Sequence, residues 1–522
     1  MASVIDTLTY QPVELSFGTS GLRGLVEDMT DLECYINTAG FLRFLQQDQS
    51  LVDGSTVYVA GDLRDSTPRI IRAVIAAVTD KGYKAEFCGF IPTPAVANYA
   101  LRNDAASIMV TGSHIPADRN GIKFYKLGGE ILKDDEAAIK QAVIDERQAI
   151  YGVESGESIF DDKGMITSAH ASLDTVKQAA VVYLERYTSV FTNRPLAGRK
   201  VVVYQHSAVG RDMLVELMEE LGAQVTSVGR SEVFVPIDTE NVTPDDQAYF
   251  KLLAEQHADV FAIVSTDGDS DRPFVIDENG VFHRGDELGA VVAKWLQADF
   301  AAIPVSSSDA VDQYLQQSTI DFTHTSIGSP YVIVAMDQAV REGMAKTVGW
   351  EVNGGFLLAN DFMINNTTLP ALPTRDAFLP IIIALVSAAE QEKTVSGLFS
   401  DLPARFTQAG LIDNFPSDIS RSIMDTFAND TPENRVSLER YFTPADGFGK
   451  IKNINSVDGV RVFFDNGDIA HLRPSGNAPQ LRIYSVANSQ ERADQIVKLA
   501  LQEPDGILRQ IGSGVHESNK QP

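Results

Sequence analysis

Three times along the chain an apolar, β-rich run passes through a short polar loop into a helix-period segment and then into a second apolar run. The copies are "VYVAGDLRDSTPRIIRAVIAAVTDKGYKAEFCG", "VVVYQHSAVGRDMLVELMEELGAQVTSVG" and "AAIPVSSSDAVDQYLQQSTIDFTHTSIG". Strand, loop, helix, strand is the βαβ grammar of a sheet with parallel strands and covering helices. Its recurrence predicts three related α/β domains with mixed, mostly parallel sheets. The last part of the chain departs from it. There "GKIKNINSVDGVRVFFDNGDIAHLRPSGNAPQLRIYSVA" offers short strands broken at "VDG" and "DNG", which carry the hairpin-forming Asp-Gly and Asn-Gly pairs. The amphipathic segment "SQERADQIVKLALQ" follows, so a smaller C-terminal α+β domain is expected. The predicted domains are residues 1–165, 166–300, 301–405 and 406–522, arranged around a central cleft. A chain of 522 residues has room for about four such units. The tail "GSGVHESNKQP" reads as loose.

Composition narrows what such a chain can do. Hydrophobic residues at 44% and charged residues at 22% are those of a folded protein with a sizeable core. A formal net charge of −28, with no cluster of Lys and Arg, argues against nucleic acid as a partner. Any anionic ligand must therefore meet local positive charge. Cys34 and Cys88 are too few for a disulfide framework, have no motif around them and read as structural. The start "MASVIDTLTYQPVELSF" has neither a basic nor an apolar leader region. The longest apolar run, "AFLPIIIALVSAA", falls short of the roughly 18 residues that span a bilayer. A cytoplasmic protein with no membrane partner is the expectation.

Four polar loops carry the chemistry, one in each predicted domain. In "SIMVTGSHIPADRNGIKFY" an apolar run ends at Ser113 and His114, with Lys123 close behind. Such a serine can be a nucleophile or a phosphate carrier, or it can be part of an ordinary turn. In "ADVFAIVSTDGDSDRPFVID" Asp267, Asp269 and Asp271 alternate directly after a strand, followed by Arg272. Three carboxylates packed so closely repel one another unless a cation holds them, and hard oxygen ligands suit Mg²⁺ or Ca²⁺. A helix-loop-helix calcium hand does not fit, because Arg272 stands where that loop needs glycine and both flanks read as strand. In "TVGWEVNGGFLLAN" Glu351 and Asn353 lie on a glycine-softened turn, where a carboxylate beside an amide can pair with sugar hydroxyls. In "HLRPSGNAPQLRIY" Arg473, Ser475, Gly476 and Asn477 form a phosphate cradle of backbone N–H groups and one guanidinium.

"FGTSGLRG", "TGSHIP", "DGDSDR" and "RPSGNAP" follow one another in the order and approximate spacing of the α-D-phosphohexomutases, which the chain resembles over nearly its whole length. The resemblance implies that Ser113 carries a phosphoryl group, donates it to a sugar phosphate and recovers one from the other end. It further implies one Mg²⁺ held by Ser113, Asp267, Asp269 and Asp271, and a hexose 1,6-bisphosphate intermediate that also serves as activator. Arg23 of "SGLRG", Lys123 and Arg272 would neutralise the transferring group, and either Lys123 or His114 would move the proton of the attacking hydroxyl. A lysine acts as base only with a lowered pKa, which neighbouring cations would give it. The cradle at Arg473, Ser475, Gly476 and Asn477 would hold the phosphate that is not reacting, and hinge motion of the last domain is expected.

Many relatives carry Gly-Glu-x-Ser-Gly-His in the sugar loop, whereas "WEVNGG" retains Glu351 but has Asn353 for the serine and Gly355 for the histidine. The wording of the serine and sugar loops is nearest the bacterial mannose-phosphate branch, so mannose phosphates are expected ahead of glucose phosphates. The substrate partner is a small sugar phosphate, and the chain is expected as a monomer or homodimer. A metal-dependent sugar phosphatase and a non-catalytic sugar-phosphate sensor are the readings from other classes. The Arg473 cradle argues against the first, and retention of Ser113, Lys123 and three aspartates argues against the second.

Overall fold

The computed structural model describes residues 2–18, 21–167, 174–240, 242–474 and 479–518. The chain divides into two compact units, residues 1–302 with 328–399, and residues 303–327 with 400–522.

In the first unit the centre of the leading sheet is parallel, as the βαβ pattern requires: Thr56–Gly61 pairs with both Lys84–Phe90 and Ala106–Val110 in parallel. Antiparallel strands extend it. Arg119–Lys126 pairs with Ala106–Val110 on one side and with Leu22–Leu25 on the other. The helix Thr67–Asp80 buries Ile70, Ile71, Val74, Ala77 and Val78 in the core, an i, i+3, i+4 spacing that keeps one apolar face inward.

The second sheet repeats the arrangement. Lys200–Tyr204 lies between Gln224–Val228 and Ala262–Thr266 in parallel, and Pro273–Ile276 turns back antiparallel on Ala262–Thr266. In the third, Phe300–Ala302 pairs with Thr347–Gly349 in parallel, and Phe356–Leu358 and Leu372–Asp376 extend that sheet antiparallel. The mostly parallel expectation therefore describes the sheet centres, while antiparallel hairpins at the edges supply the loops of the site. The apolar run "AFLPIIIALVSAA" forms the helix Phe378–Glu390, buried from Phe378 to Ala388. Among the described residues no helix is long and apolar enough to cross a membrane.

The second unit holds the expected α+β domain, a five-stranded antiparallel sheet in the order 406–412, 481–487, 469–474, 460–464, 451–455. Gly459 and Gly467, in the two hairpin turns, have φ of 93° and 90°, in the left-handed region that glycine tolerates. The helix Gln490–Leu501 buries Ala493, Ile496, Val497 and Ala500. The tail corrects the expectation of looseness: Ile507–Ser518 is a helix whose Leu508, Ile511 and Val515 are buried in the domain core. Their helical spacing lies on one face, which the intervening Gly and Ser residues disguise.

Candidate active site

Ser113 sits three residues past the end of the central strand Ala106–Val110, at φ 54°. Such a left-handed serine must be held in place by its surroundings. The Thr111 hydroxyl accepts the Ser113 N–H at 2.8 Å and donates to Asp62 Oδ2 at 2.7 Å. Arg64 does the rest. Its guanidinium is buried, pairs with Asp62 at 3.2 Å, and donates to the carbonyl oxygens of Ser113, Ile115, Pro116 and Arg119 at 2.9, 2.6, 2.7 and 2.9 Å. The loop needs turn formers because its carbonyls converge on this one cation. A Cβ on Gly112 would lie 2.6 Å from the guanidinium carbon, so a glycine is required there.

The aspartate loop lies in the tight connection between Ala262–Thr266 and Pro273–Ile276, with Ser270 at φ 57°. Asp267, Asp269 and Asp271 are all buried, and one oxygen from each falls within 4.8 Å of the others. Ser113 Oγ donates to Asp267 Oδ2 at 2.7 Å, joining the two loops. Lys123 Nζ lies 2.6 Å from both Asp269 Oδ2 and Asp271 Oδ2, and Thr93 Oγ1 donates to Asp269 Oδ2 at 2.5 Å. Among the described residues the outer oxygens Asp269 Oδ1 and Asp271 Oδ1 are buried with no hydrogen-bond partner. Buried carboxylate oxygens without donors are costly, and a divalent cation satisfies them. The three carboxylates and Ser113 Oγ thus fit Mg²⁺.

Charge sets the protonation states. Burial, and then the charges of Asp269 and Asp271, push the Asp267 carboxyl well above its ordinary range. Burial also works to raise Asp271, but Arg375, Lys123 and Arg272 outweigh it and hold the group below the usual carboxylate range. Burial alone would lower Lys123, yet Asp269 and Asp271 hold its ammonium above the ordinary lysine value. That corrects the expectation of a lysine lowered by cations, because its nearest neighbours are carboxylates. His114 lies 3.4 Å from Ser113 Oγ, and burial, then Arg272 and Arg23, push its imidazole down to about 2, so it is uncharged.

Arg23 and Arg272 complete a positive rim. Among the described residues the Arg23 guanidinium makes no hydrogen bond or ion pair; burial, then Arg272 and Arg375, bring it down to about 10. Arg272 Nε is 3.8 Å from Asp267 and 3.7 Å from Asp271, too long for a hydrogen bond, and it is buried without an acceptor. Two guanidiniums with unused N–H groups beside an exposable serine oxygen form a receptor for a phosphoryl group.

With that geometry in view, the likeness to known proteins is specific. Residues 14–149, 182–280 and 284–406 match the models for α/β/α domains I, II and III of phosphoglucomutase/phosphomannomutase. The chain belongs to the phosphoglucomutase/phosphomannomutase family. It is 38% identical over 485 residues to a phosphomannomutase of Sinorhizobium fredii, covering 93% of this chain and 98% of the relative. It is 41% identical over 492 residues to a phosphomannomutase of Salmonella muenchen, covering 93% and 95%. A phosphoglucomutase/phosphomannomutase family protein from Burkholderia thailandensis has the same fold, with a TM-score of 0.69 at 18% identity over 95% of this chain and 97% of that one.

Of the residues expected to meet a sugar, Glu351 joins the same cluster through Arg375, a residue that the sequence reading did not single out. Glu351, buried, accepts from Arg375 Nη1 at 2.7 Å, and Arg375 Nε bonds Asp271 Oδ2 at 3.0 Å. Asn353 is engaged at both ends of its amide: Nδ2 donates to Glu240 Oε1 at 3.1 Å and Oδ1 accepts the Gly355 N–H at 3.0 Å. Arg473 lies in the second unit, its Nε donating to Asp458 Oδ1 at 3.0 Å. Ser475, Gly476 and Asn477 lie outside the described residues. Arg64 and Arg375 are the functional side chains that sequence reasoning missed. Arg64 stands in the loop "GDLRDS" and Arg375 near the end of the strand Leu372–Asp376, in "PTRDAF", and an arginine beside Asp was the available signal in each.

Proposed function

We propose that the chain interconverts hexose 1-phosphate and hexose 6-phosphate, with mannose phosphates preferred over glucose phosphates, through a phosphoserine at Ser113. The observation that carries the reading is Ser113 Oγ bonded to Asp267 of the three-aspartate group and 3.4 Å from a neutral His114, which itself feels the charges of Arg272, Arg23 and Lys123. The phosphoryl group leaves Ser113 Oγ for the free hydroxyl of a hexose monophosphate, giving a 1,6-bisphosphate. After the sugar reorients, its other phosphate is returned to the same oxygen. Phosphoryl transfer needs little covalent help, only alignment and charge neutralisation, and the site is rich in both.

Mg²⁺ held by Asp267, Asp269, Asp271 and a Ser113 oxygen would supply further neutralisation of the phosphoryl charge. Arg23 and Arg272 offer their unused N–H groups to the equatorial oxygens. The sugar hydroxyl must lose its proton, and two groups stand ready. His114 is already neutral beside Ser113, whereas Lys123 is charged while paired with Asp269 and Asp271 and must first give up a proton. Arg473, with Ser475, Gly476 and Asn477, is assigned to the phosphate that is not reacting. Glu351 is assigned to the sugar hydroxyls.

The decisive experiment is conversion of mannose and glucose 1-phosphates to 6-phosphates, with Mg²⁺ and a trace of hexose 1,6-bisphosphate, by the parent and by Ser113→Ala. The parent is expected to convert both, mannose with the higher kcat/KM, and the variant to lose at least about a thousandfold. Release of inorganic phosphate by the parent, or an unimpaired variant, overturns the reading.

A further inference from the structure

Arg375 occupies a crowded place. Its guanidinium joins Asp271 Oδ2 at 3.0 Å, Glu351 Oε2 at 2.7 Å and Ser329 Oγ at 3.4 Å. The residues on either side are pinned as well. Thr374 Oγ1 donates to Glu130 Oε1 at 2.7 Å, and the other oxygen of Glu130 accepts from Ser329 at 2.7 Å. Asp376 accepts from Tyr183 at 2.6 Å, from the Tyr187 hydroxyl, and from the Phe378 N–H at 3.0 Å. The backbone at Arg375 is therefore fixed, and its side chain has one path to Glu351.

That path runs past Gly355. A Cβ at Gly355 would lie 2.7 Å from both Cδ and Cγ of Arg375 and 2.9 Å from its Cβ. Contact that close forces a shift, and the atoms concerned are the arginine's stem, not its mobile tip. Gly355 does not have a left-handed φ, so its backbone would accept a side chain. The three atoms nearest to such a Cβ all belong to the arginine.

We propose that Arg375 is a positioning residue that sets affinity for the hexose phosphate by fixing the Glu351 carboxylate, and that Gly355 is kept free of a side chain to admit the arginine's stem. The inference rests on the mutase reading, in which Glu351 meets the sugar. One oxygen of Glu351 is tied to Arg375, while Oε1 takes no hydrogen bond among the described residues and would be held in a set direction for a sugar hydroxyl. Because the same guanidinium holds Asp271, the sugar loop and the aspartate loop are kept in register.

The test is a double-variant cycle of the parent, Gly355→Ala, Arg375→Ala and the pair, read by KM, by kcat, by calorimetric binding of mannose 6-phosphate and by thermal midpoint. Gly355→Ala is expected to raise KM about tenfold and Arg375→Ala at least as much, with KM moving more than kcat. Added to Arg375→Ala, Gly355→Ala should change KM less than about twofold and leave the thermal midpoint unmoved, since neighbours that act through one contact are not additive. Arg375→Lys keeps the charge but not the two-pronged reach and should recover only part of the affinity. Independent, multiplying losses overturn the proposal. So does a fall in kcat at constant KM, the mark of a merely structural role. A parent that binds mannose 6-phosphate without isomerising it sinks the mutase reading alone, and the binding cycle then decides the role of Arg375. A parent that does not bind it sinks both.

Discussion

The serine loop and the sugar loop use one device in two ways. In each, a glycine lacks a Cβ where an arginine from elsewhere in the chain must pass: Gly112 for Arg64, Gly355 for Arg375. Arg64 then binds four backbone carbonyls, whereas Arg375 binds two carboxylate side chains. The difference matches the work of each loop. Carbonyl anchors fix the path of the chain whatever side chains it carries, which suits a nucleophile that must stay in line. Carboxylate anchors depend on residue identity and leave the loop open to change, which would suit the sugar-reading role proposed for it.

Removing the carbonyl anchor should give the largest effect. Arg64→Met takes the cation from Asp62 and the guanidinium donors from four carbonyls, and loss of one partner of a buried ion pair costs about 3–5 kcal/mol. Urea unfolding of the variant is expected to show a loss of that size together with a lower kcat. A loss below about 1 kcal/mol, the level of an ordinary surface pair, would erase the contrast between the loops.

A smaller wedge on the same contact comes next. Gly112→Ala pushes a methyl into the guanidinium plane, and overpacking of this kind costs about 1–3 kcal/mol. The thermal midpoint should fall, and kcat should fall with KM unchanged, the reverse of the pattern expected at Gly355. Equal KM effects at the two glycines would mean that the loops are not differently anchored.

The smallest effect belongs to Asn353, which braces the sugar loop from inside. Asn353→Ala removes hydrogen bonds to Glu240 and Gly355 worth about 0.5–1.5 kcal/mol each, and part of that is expected as a raised KM. Comparing mannose and glucose substrates sharpens the point. A bracing role moves both KM values together, and a direct sugar contact moves them apart.

Much of the site was legible because its residues are polar types at the ends of apolar strands. Ser113 and the alternating Asp267, Asp269 and Asp271 declare themselves by interrupting a hydrophobic run with groups that cannot be buried idly. Arg64 and Arg375 do not. Arg64 reaches carbonyls about 50 positions away, a distance set by sheet topology, and carbonyls leave no mark on a sequence. Arg375 meets Asp271 across 104 positions for the same reason. The charge on Lys123 was misread because the nearest cations in sequence are not its nearest neighbours in space. In the fold, the three βαβ copies were plain, while the antiparallel strands at the sheet edges carry no periodicity that separates them from the parallel ones. The C-terminal helix was hidden by composition: Gly512 and Gly514 suggest a loop, yet Ile511 and Val515 still share a buried face.

Lys123 reaches two carboxylates of the aspartate loop at once, and Arg272 and Arg375 stand beside the same loop. The chain thus carries its own counter-charges for the acidic trio. Those counter-charges hydrogen-bond one oxygen of Asp269 and one of Asp271, while Asp269 Oδ1 and Asp271 Oδ1 stay without a hydrogen-bond partner among the described residues and are the oxygens left for a divalent cation.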